Sequence, residues 1–226
     1  MKKAAFTMLE LVMVIVVLGI LAALAMPRME RDIGQEAADN ILSSIRYTQH
    51  YALMDNVTVP TDTGWQKAFW RFGFEGCSDN GIFYYVGSDK DTEGNIDLGE
   101  EATDPANGEI MMGFNSKPCE SNLDAQIDAT GTYKSSPNIF ITKKYGISDS
   151  NIAYAGGCSS AAQHIAFDYM GRPHTGITNS SKPDYSTLLH TDCNLTFSFD
   201  DSSIPPFTIT IEKETGHAFI VGQPNS

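Results

Sequence analysis

The apolar stretch FTMLELVMVIVVLGILAALAMP (6–27) decides the predicted fold, and its only charged side chain is Glu10. As a helix rising about 1.5 Å per residue, it would reach about 30 Å, the thickness of the hydrocarbon core of a bilayer. The chain continues past Pro27 with no clear small-residue cleavage site. We therefore expect a retained membrane helix rather than an ordinary secretory signal.

Glu10 is the second feature of this stretch, because an ionisable group in hydrocarbon costs several kcal/mol and usually has a partner or a function. Cleavage between Ala5 and Phe6 would create an α-amino group that could pair with Glu10 of a neighbouring subunit. In the alternative, Glu10 lies at headgroup level in an uncleaved anchor. The chain would then be a membrane-anchored periplasmic protein.

Residues 5–28, AFTMLELVMVIVVLGILAALAMPR, resemble the class III leader and first helix of type IV pilins and type II secretion pseudopilins. The resemblance implies that prepilin peptidase cuts after Ala5 and methylates Phe6. It also implies that Glu10 directs subunit registration and that Pro27 kinks the helix. In one departure from the family, Ala5 stands where Gly is usual.

The same resemblance implies partners and a location. The partners are other pilin or pseudopilin subunits, prepilin peptidase and an inner-membrane assembly platform. The expected location is the inner membrane, with a single pass and the head in the periplasm, followed by a pseudopilus or pilus at the cell envelope. Secretion systems and true pili share this leader, so both machines stay open.

The predicted organisation has four parts: a leader (1–5), a transmembrane and assembly helix (6–27), an amphipathic half of the same helix (28–55) and a β-rich head (56–226). The amphipathic half is indicated by apolar residues at three- and four-residue spacing. Pro60 excludes a longer helix. The stripe comprises Ile33, Ala37, Ile41, Ile45 and Leu53, flanked by Ala38, Leu42 and Ala52.

Beyond residue 60 the pattern predicts strands, because runs of β-branched and aromatic residues alternate with Gly, Asn, Asp and Ser. The expected fold class is α+β and type IV pilin-like, with one long N-terminal helix packed on an antiparallel sheet. The last run predicts a closing hairpin around the turn signal KETG (213–216). The predicted runs are 67–74, 81–86, 109–114, 138–142, 164–168, 194–199 and 207–221.

Two late segments, IAFDYMGRP (165–173) and ITIEKETGHAFIV (209–221), resemble strands of the GspH/FimT-type minor pseudopilins. A family match would place a basic residue after the hairpin glycine, where this chain has His217. An ordinary hairpin with no bearing on subtype is the alternative.

The four cysteines, Cys77, Cys119, Cys158 and Cys193, all lie in the predicted head and show no C-x-x-C spacing. Their even number predicts two disulfides in an oxidising compartment. Three connectivities are possible, and pairing of nearest neighbours is the simplest. Four unpaired thiols are the alternative.

The segment DKDTEGNIDLGE (89–100) has the spacing of an EF-hand calcium loop, with Gly94 at the turn and Ile96 as an apolar anchor. Two departures are a Glu at the fifth position and a preceding strand rather than a helix. A solvated acidic loop is the alternative to a Ca²⁺ site; no other cofactor is expected. The candidate ligands are Asp89, Asp91, Glu93, Asn95, Asp97 and Glu100.

Charge and motifs exclude other classes. The formal net charge of −13 makes nucleic acid a poor partner, since phosphate binding takes clustered Lys or Arg. The five histidines are scattered, and neither H-E-x-x-H nor G-x-S-x-G occurs. These exclusions favour a non-enzymatic protein, and the resemblance of residues 5–28 implies a minor pilin or pseudopilin. The alternative is a binding head, an adhesin or a secretion-substrate recognition module, on a pilin anchor.

Overall fold

The computed structural model describes residues 8–59, 61–119, 127–179, 181–182 and 184–223, without the side chains of 22–32 and 179. These residues form a mixed α+β fold. A long helix, α1, runs from Met8–Met54, and a short helix, α2, covers Ile141–Tyr145. Short 3-10 turns connect the remaining segments.

The strands form two four-stranded antiparallel sheets. Sheet 1 has the order β2-β1-β4-β5, and sheet 2 has the order β3-β6-β7-β8. The strands are β1 Trp70–Gly76, β2 Ile82–Gly87, β3 Ile152–Gly156, β4 His164–Phe167, β5 Pro173–His174, β6 Cys193–Phe197, β7 Phe207–Ile211 and β8 Ala218–Ile220.

The second half of α1 packs on the head because one of its faces is apolar. Ile41 and Ile45 are fully buried, whereas Leu53 is 54 % exposed. Arg46 secures the helix to sheet 2 by donating two hydrogen bonds to the carbonyl of Ala218 in β8. At the end of the helix, the ring of Tyr51 stacks on Trp70 of β1 with centroids 4.3 Å apart.

Two turns of the head are attached to α1 by a single side chain. Gln49 donates hydrogen bonds from Nε2 to the carbonyls of Gly171 and Thr215, at 2.9 and 2.8 Å. Gly216, at φ +67°, lies so close that a Cβ there would be 2.2 Å from the Gly171 carbonyl oxygen. The turn after β7 therefore needs glycine both for its backbone conformation and for this approach.

One hydrophobic core joins the helix and both sheets. Trp70, Phe72 and Phe74 alternate along β1 and belong to this core. Phe74 meets Phe197 of β6 with ring centroids 5.9 Å apart, which links sheet 1 to sheet 2.

Two disulfides close the head, as the even cysteine count predicts. Cys77 is bonded to Cys119 and Cys158 to Cys193, with Cα atoms 5.5 and 4.7 Å apart. This is the nearest-neighbour connectivity. Such bonds form and persist in oxidising compartments.

The predicted fold class and location are wrong on two points. The strands form two sheets instead of one. Across the described part of the chain, no helix combines the length and the apolar character needed to cross a membrane. The single-pass inner-membrane assignment over 6–27 is therefore contradicted.

Candidate functional site

The first candidate site is the apolar segment, residues 8–21 of α1. Its large apolar side chains are between 48 % and 85 % exposed, from Val14 at the low end to Met8 at the high end. They lie on every side of the helix, since consecutive residues such as Leu11, Val12 and Met13 are all exposed. A helix that is apolar all round is normally buried. An exposed apolar patch of this kind marks an interaction surface.

Glu10 is the one charged residue of the apolar segment, and it is exposed. Ala5 and Phe6, the predicted processing residues, lie outside the described residues. Pro27 lies within the bounds of α1, and its side chain is not described.

The second candidate site is the acidic loop (89–100), which follows β2 and covers the face of sheet 1 that points away from α1. On that face Arg71 of β1 lies beside Gly87 of β2. Ile96 packs directly on Gly87: a Cβ at position 87 would lie 2.7 Å from Cγ2 of Ile96. Arg71 is only 1 % exposed and donates a hydrogen bond to the carbonyl of Gly94, 3.1 Å away. The loop is thus fixed to the sheet by an apolar anchor and a buried cation.

Hydrogen bonds inside the acidic loop curl it around its own carboxylates. Asp89 Oδ2 accepts from the backbone N–H of Gly94 at 2.7 Å, and Asp91 Oδ1 accepts from that of Glu93 at 3.1 Å. Glu100 accepts three backbone N–H groups, from residues 90, 91 and 97. Gly94 has φ +112°, a conformation that favours glycine.

The six predicted ligands differ in burial. Asp89 and Glu100 are buried, whereas Asp91, Glu93, Asn95 and Asp97 are exposed. One carboxylate oxygen from each of Asp89, Asp91 and Glu100 lies within 4.8 Å of the others. A second group of this kind, formed by Asp91, Glu93 and Asp97, lies on the surface. Asp91 belongs to both groups.

Asp89 has the most unusual environment of the six. It is 0 % exposed, and its Oδ1 atom has no hydrogen-bond partner among the described residues. Burial raises the pKa of Asp89 to about 6; neighbouring Asp91 and Glu100 add to this effect, while the Gly94 N–H and Arg71 oppose it. The cost of keeping this carboxylate charged falls when a cation is beside it.

A buried polar cluster in sheet 1, which the sequence does not reveal, resembles catalytic machinery. His174 Nε2 lies 3.5 Å from Asp168 Oδ2, and its Nδ1 lies 2.9 Å from Thr187 Oγ1. The Thr187 hydroxyl also lies 2.8 Å from the carbonyl of Asp184, which can accept its hydrogen. When the hydroxyl donates to that carbonyl, its oxygen is left to accept a hydrogen bond from the imidazole.

Asp168 explains why this cluster is stable. Burial alone would raise its pKa, but the neighbouring His174 and the hydrogen-bonded Arg172 lower the pKa to about 2. Asp168 also accepts the backbone N–H groups of Met170 and Arg172, which closes the turn between β4 and β5. The cluster fixes a turn that contacts α1 through Gln49.

Comparisons with known proteins do not assign the chain. No family model matches it, and neither the curated proteins nor the solved structures give a significant match.

Proposed function

We propose that the chain is an assembly subunit, a minor pilin or pseudopilin, which packs its N-terminal helix against helices of related subunits in a type IV pilus or a type II secretion pseudopilus. The exposure of the apolar segment (8–21) carries this proposal. At about 25 cal/mol per Å², covering these side chains would supply a large driving force for association. The N-terminal helices of related subunits would present a similar apolar surface for this contact.

The head supports the proposal because it does not need the apolar segment for its own stability. Among the residues whose side chains are described, its core comes from residues 33 onward, and two disulfides close it. The segment is therefore available for contacts between subunits. An arrangement with a stable head and an exposed helix suits a subunit that is added to a filament.

Processing supplies the second part of the mechanism. Prepilin peptidase would cut after Ala5, which leaves an N-methylated amine on Phe6. Glu10, which is exposed on α1, would then form an ion pair with this amine of a neighbouring subunit. Such a pair inside an apolar helix bundle would set the register between subunits, since displacement would leave both charges unpaired. The proposed role involves no catalysis.

Photo-crosslinking in the native cells tests this proposal. A photoreactive residue is introduced as Leu18→p-benzoylphenylalanine, and as Ser202→p-benzoylphenylalanine in the control, where the side chain is also exposed. We expect position 18 to give covalent products with other copies or with proteins that have an apolar N-terminal helix. Position 202 should give few of them. Equal yields at the two positions, or partners at position 18 without such a helix, would contradict the proposal.

A further inference from the structure

We infer that the acidic loop binds one Ca²⁺ ion through Asp89, Asp91 and Glu100, independently of the proposed assembly role. Acidic residues alone are not sufficient grounds, because exposed carboxylates are common in a chain with a net charge of −13. The observation that distinguishes this loop is the buried carboxylate of Asp89.

Asp89 is 0 % exposed, and its Oδ1 has no donor among the described residues. A buried, unpaired carboxylate oxygen is costly, because it has lost water and gained no replacement. One carboxylate oxygen from each of Asp89, Asp91 and Glu100 lies within 4.8 Å of the others, so two more anionic groups lie beside this buried side chain. A cation between them would satisfy Asp89 and remove the mutual repulsion.

The other oxygen of Asp89 is already engaged, which leaves Oδ1 for the ion. Oδ2 accepts from the Gly94 N–H at 2.7 Å and lies 3.9 Å from Arg71 Nη2. Arg71 also binds the Gly94 carbonyl, so it supports the loop from the sheet side. The loop therefore has its ligands gathered before an ion arrives, which reduces the ordering cost of binding.

The donor set favours calcium over other metals. The gathered groups are all carboxylates, which are hard oxygen donors, and they include no imidazole or thiolate. Six to eight oxygens at flexible positions suit Ca²⁺, whereas Mg²⁺ requires a tight octahedron and gives up its water reluctantly. Exposed Glu93 and Asp97 lie next to Asp91 and can complete the shell.

Calcium titration of the full chain tests the site, with a non-ionic detergent covering the apolar segment and ionic strength near physiological. After treatment with a chelator, we expect one Ca²⁺ per chain by calorimetry. Millimolar calcium should raise the Tm by about 5 °C or more, if it exceeds the Kd about 100-fold. Magnesium at the same concentration should raise it less.

Two exposed aspartates provide a matched pair of variants. Asp91 accepts the backbone N–H of Glu93, and Asp201 accepts that of Ser203, so each side chain closes a similar turn. Asp91→Ala should weaken calcium binding about tenfold or more and remove about half or more of the Tm rise. Asp201→Ala should leave both unchanged.

Two results would overturn the inference. One is a wild-type chain that shows neither calcium heat nor a calcium-dependent Tm rise. The other is an Asp91→Ala chain that binds calcium as tightly as the Asp201→Ala chain, since the ion would then bind elsewhere. Both variants change exposed side chains, so folding should not obscure the comparison.

Discussion

Replacement of Glu10 with alanine is expected to remove the subunit from filaments almost completely. In the assembled helix bundle the Phe6 amine of a neighbour would lose its counter-charge while remaining shielded from water. Breaking a buried ion pair by removing one partner costs about 3–5 kcal/mol, which corresponds to about 100-fold or more in a subunit equilibrium. The measurement is the fraction of the chain found in sheared filaments, relative to the total in the cells.

Glu10→Asp is the matched control, because it keeps the charge and shortens the side chain by one methylene. It should retain part of the assembly that Glu10→Ala loses. Normal incorporation of Glu10→Ala would show that the carboxylate has no role in registration.

Replacement of Ile45 with alanine should destabilise the head by about 2–5 kcal/mol, since it removes buried methyl groups and leaves a cavity between α1 and the sheets. Ile45 is 0 % exposed. Leu53 belongs to the same predicted stripe but is 54 % exposed. Leu53→Ala should therefore cost less than about 0.5 kcal/mol. Urea unfolding of the two full-length variants measures the difference, and equal losses would contradict the packing of α1.

The exposure of Leu53 shows how far helical periodicity predicts which residues are in the core. Each residue turns the helix by about 100°, so Leu53 lies about 120° from Ile41, whereas Ala52 lies only about 20° from it. Ala52 is 2 % exposed. Residues spaced strictly four apart move gradually around the helix. The residue buried near position 52 is therefore predicted by its angle around the helix axis, and not by counting in fours.

The predicted strands were correct where apolar and polar residues alternate. They were wrong where the backbone hydrogen bonds do not follow a regular ladder. The runs at 67–74, 81–86, 164–168, 194–199 and 207–221 contain strands. The run 109–114 forms only isolated bridges at Ile110, because its backbone groups bond to several different segments. The run 138–142 is helical instead: Ser136 caps a turn that starts at Pro137, a signal that the sequence does offer.

Features that depend on distant parts of the chain could not be predicted. Strand β3 is poor in β-branched residues and exists because it pairs with β6. The division into two sheets depends in the same way on which strands meet. The cysteine count predicted two bridges, but only the fold selects among three connectivities.

The sequence predicted the acidic loop as a motif, but it did not indicate which of the six candidate ligands are buried. Sequence spacing treats its six residues alike. The structure buries Asp89 and Glu100 because Ile96 and Arg71 hold the loop against sheet 1. In the sequence, Arg71 is a charged residue between two aromatic residues of a predicted strand, WRF (70–72). That position could have indicated a buried cation.

The most direct test of the assembly account is the intact mass and N-terminal sequence of the protein isolated from its native cells. We expect a chain that begins at N-methylated Phe6, with Glu10 as its fifth residue. A chain that still begins at Met1 would contradict processing, and with it the charge pairing on which the proposed assembly depends.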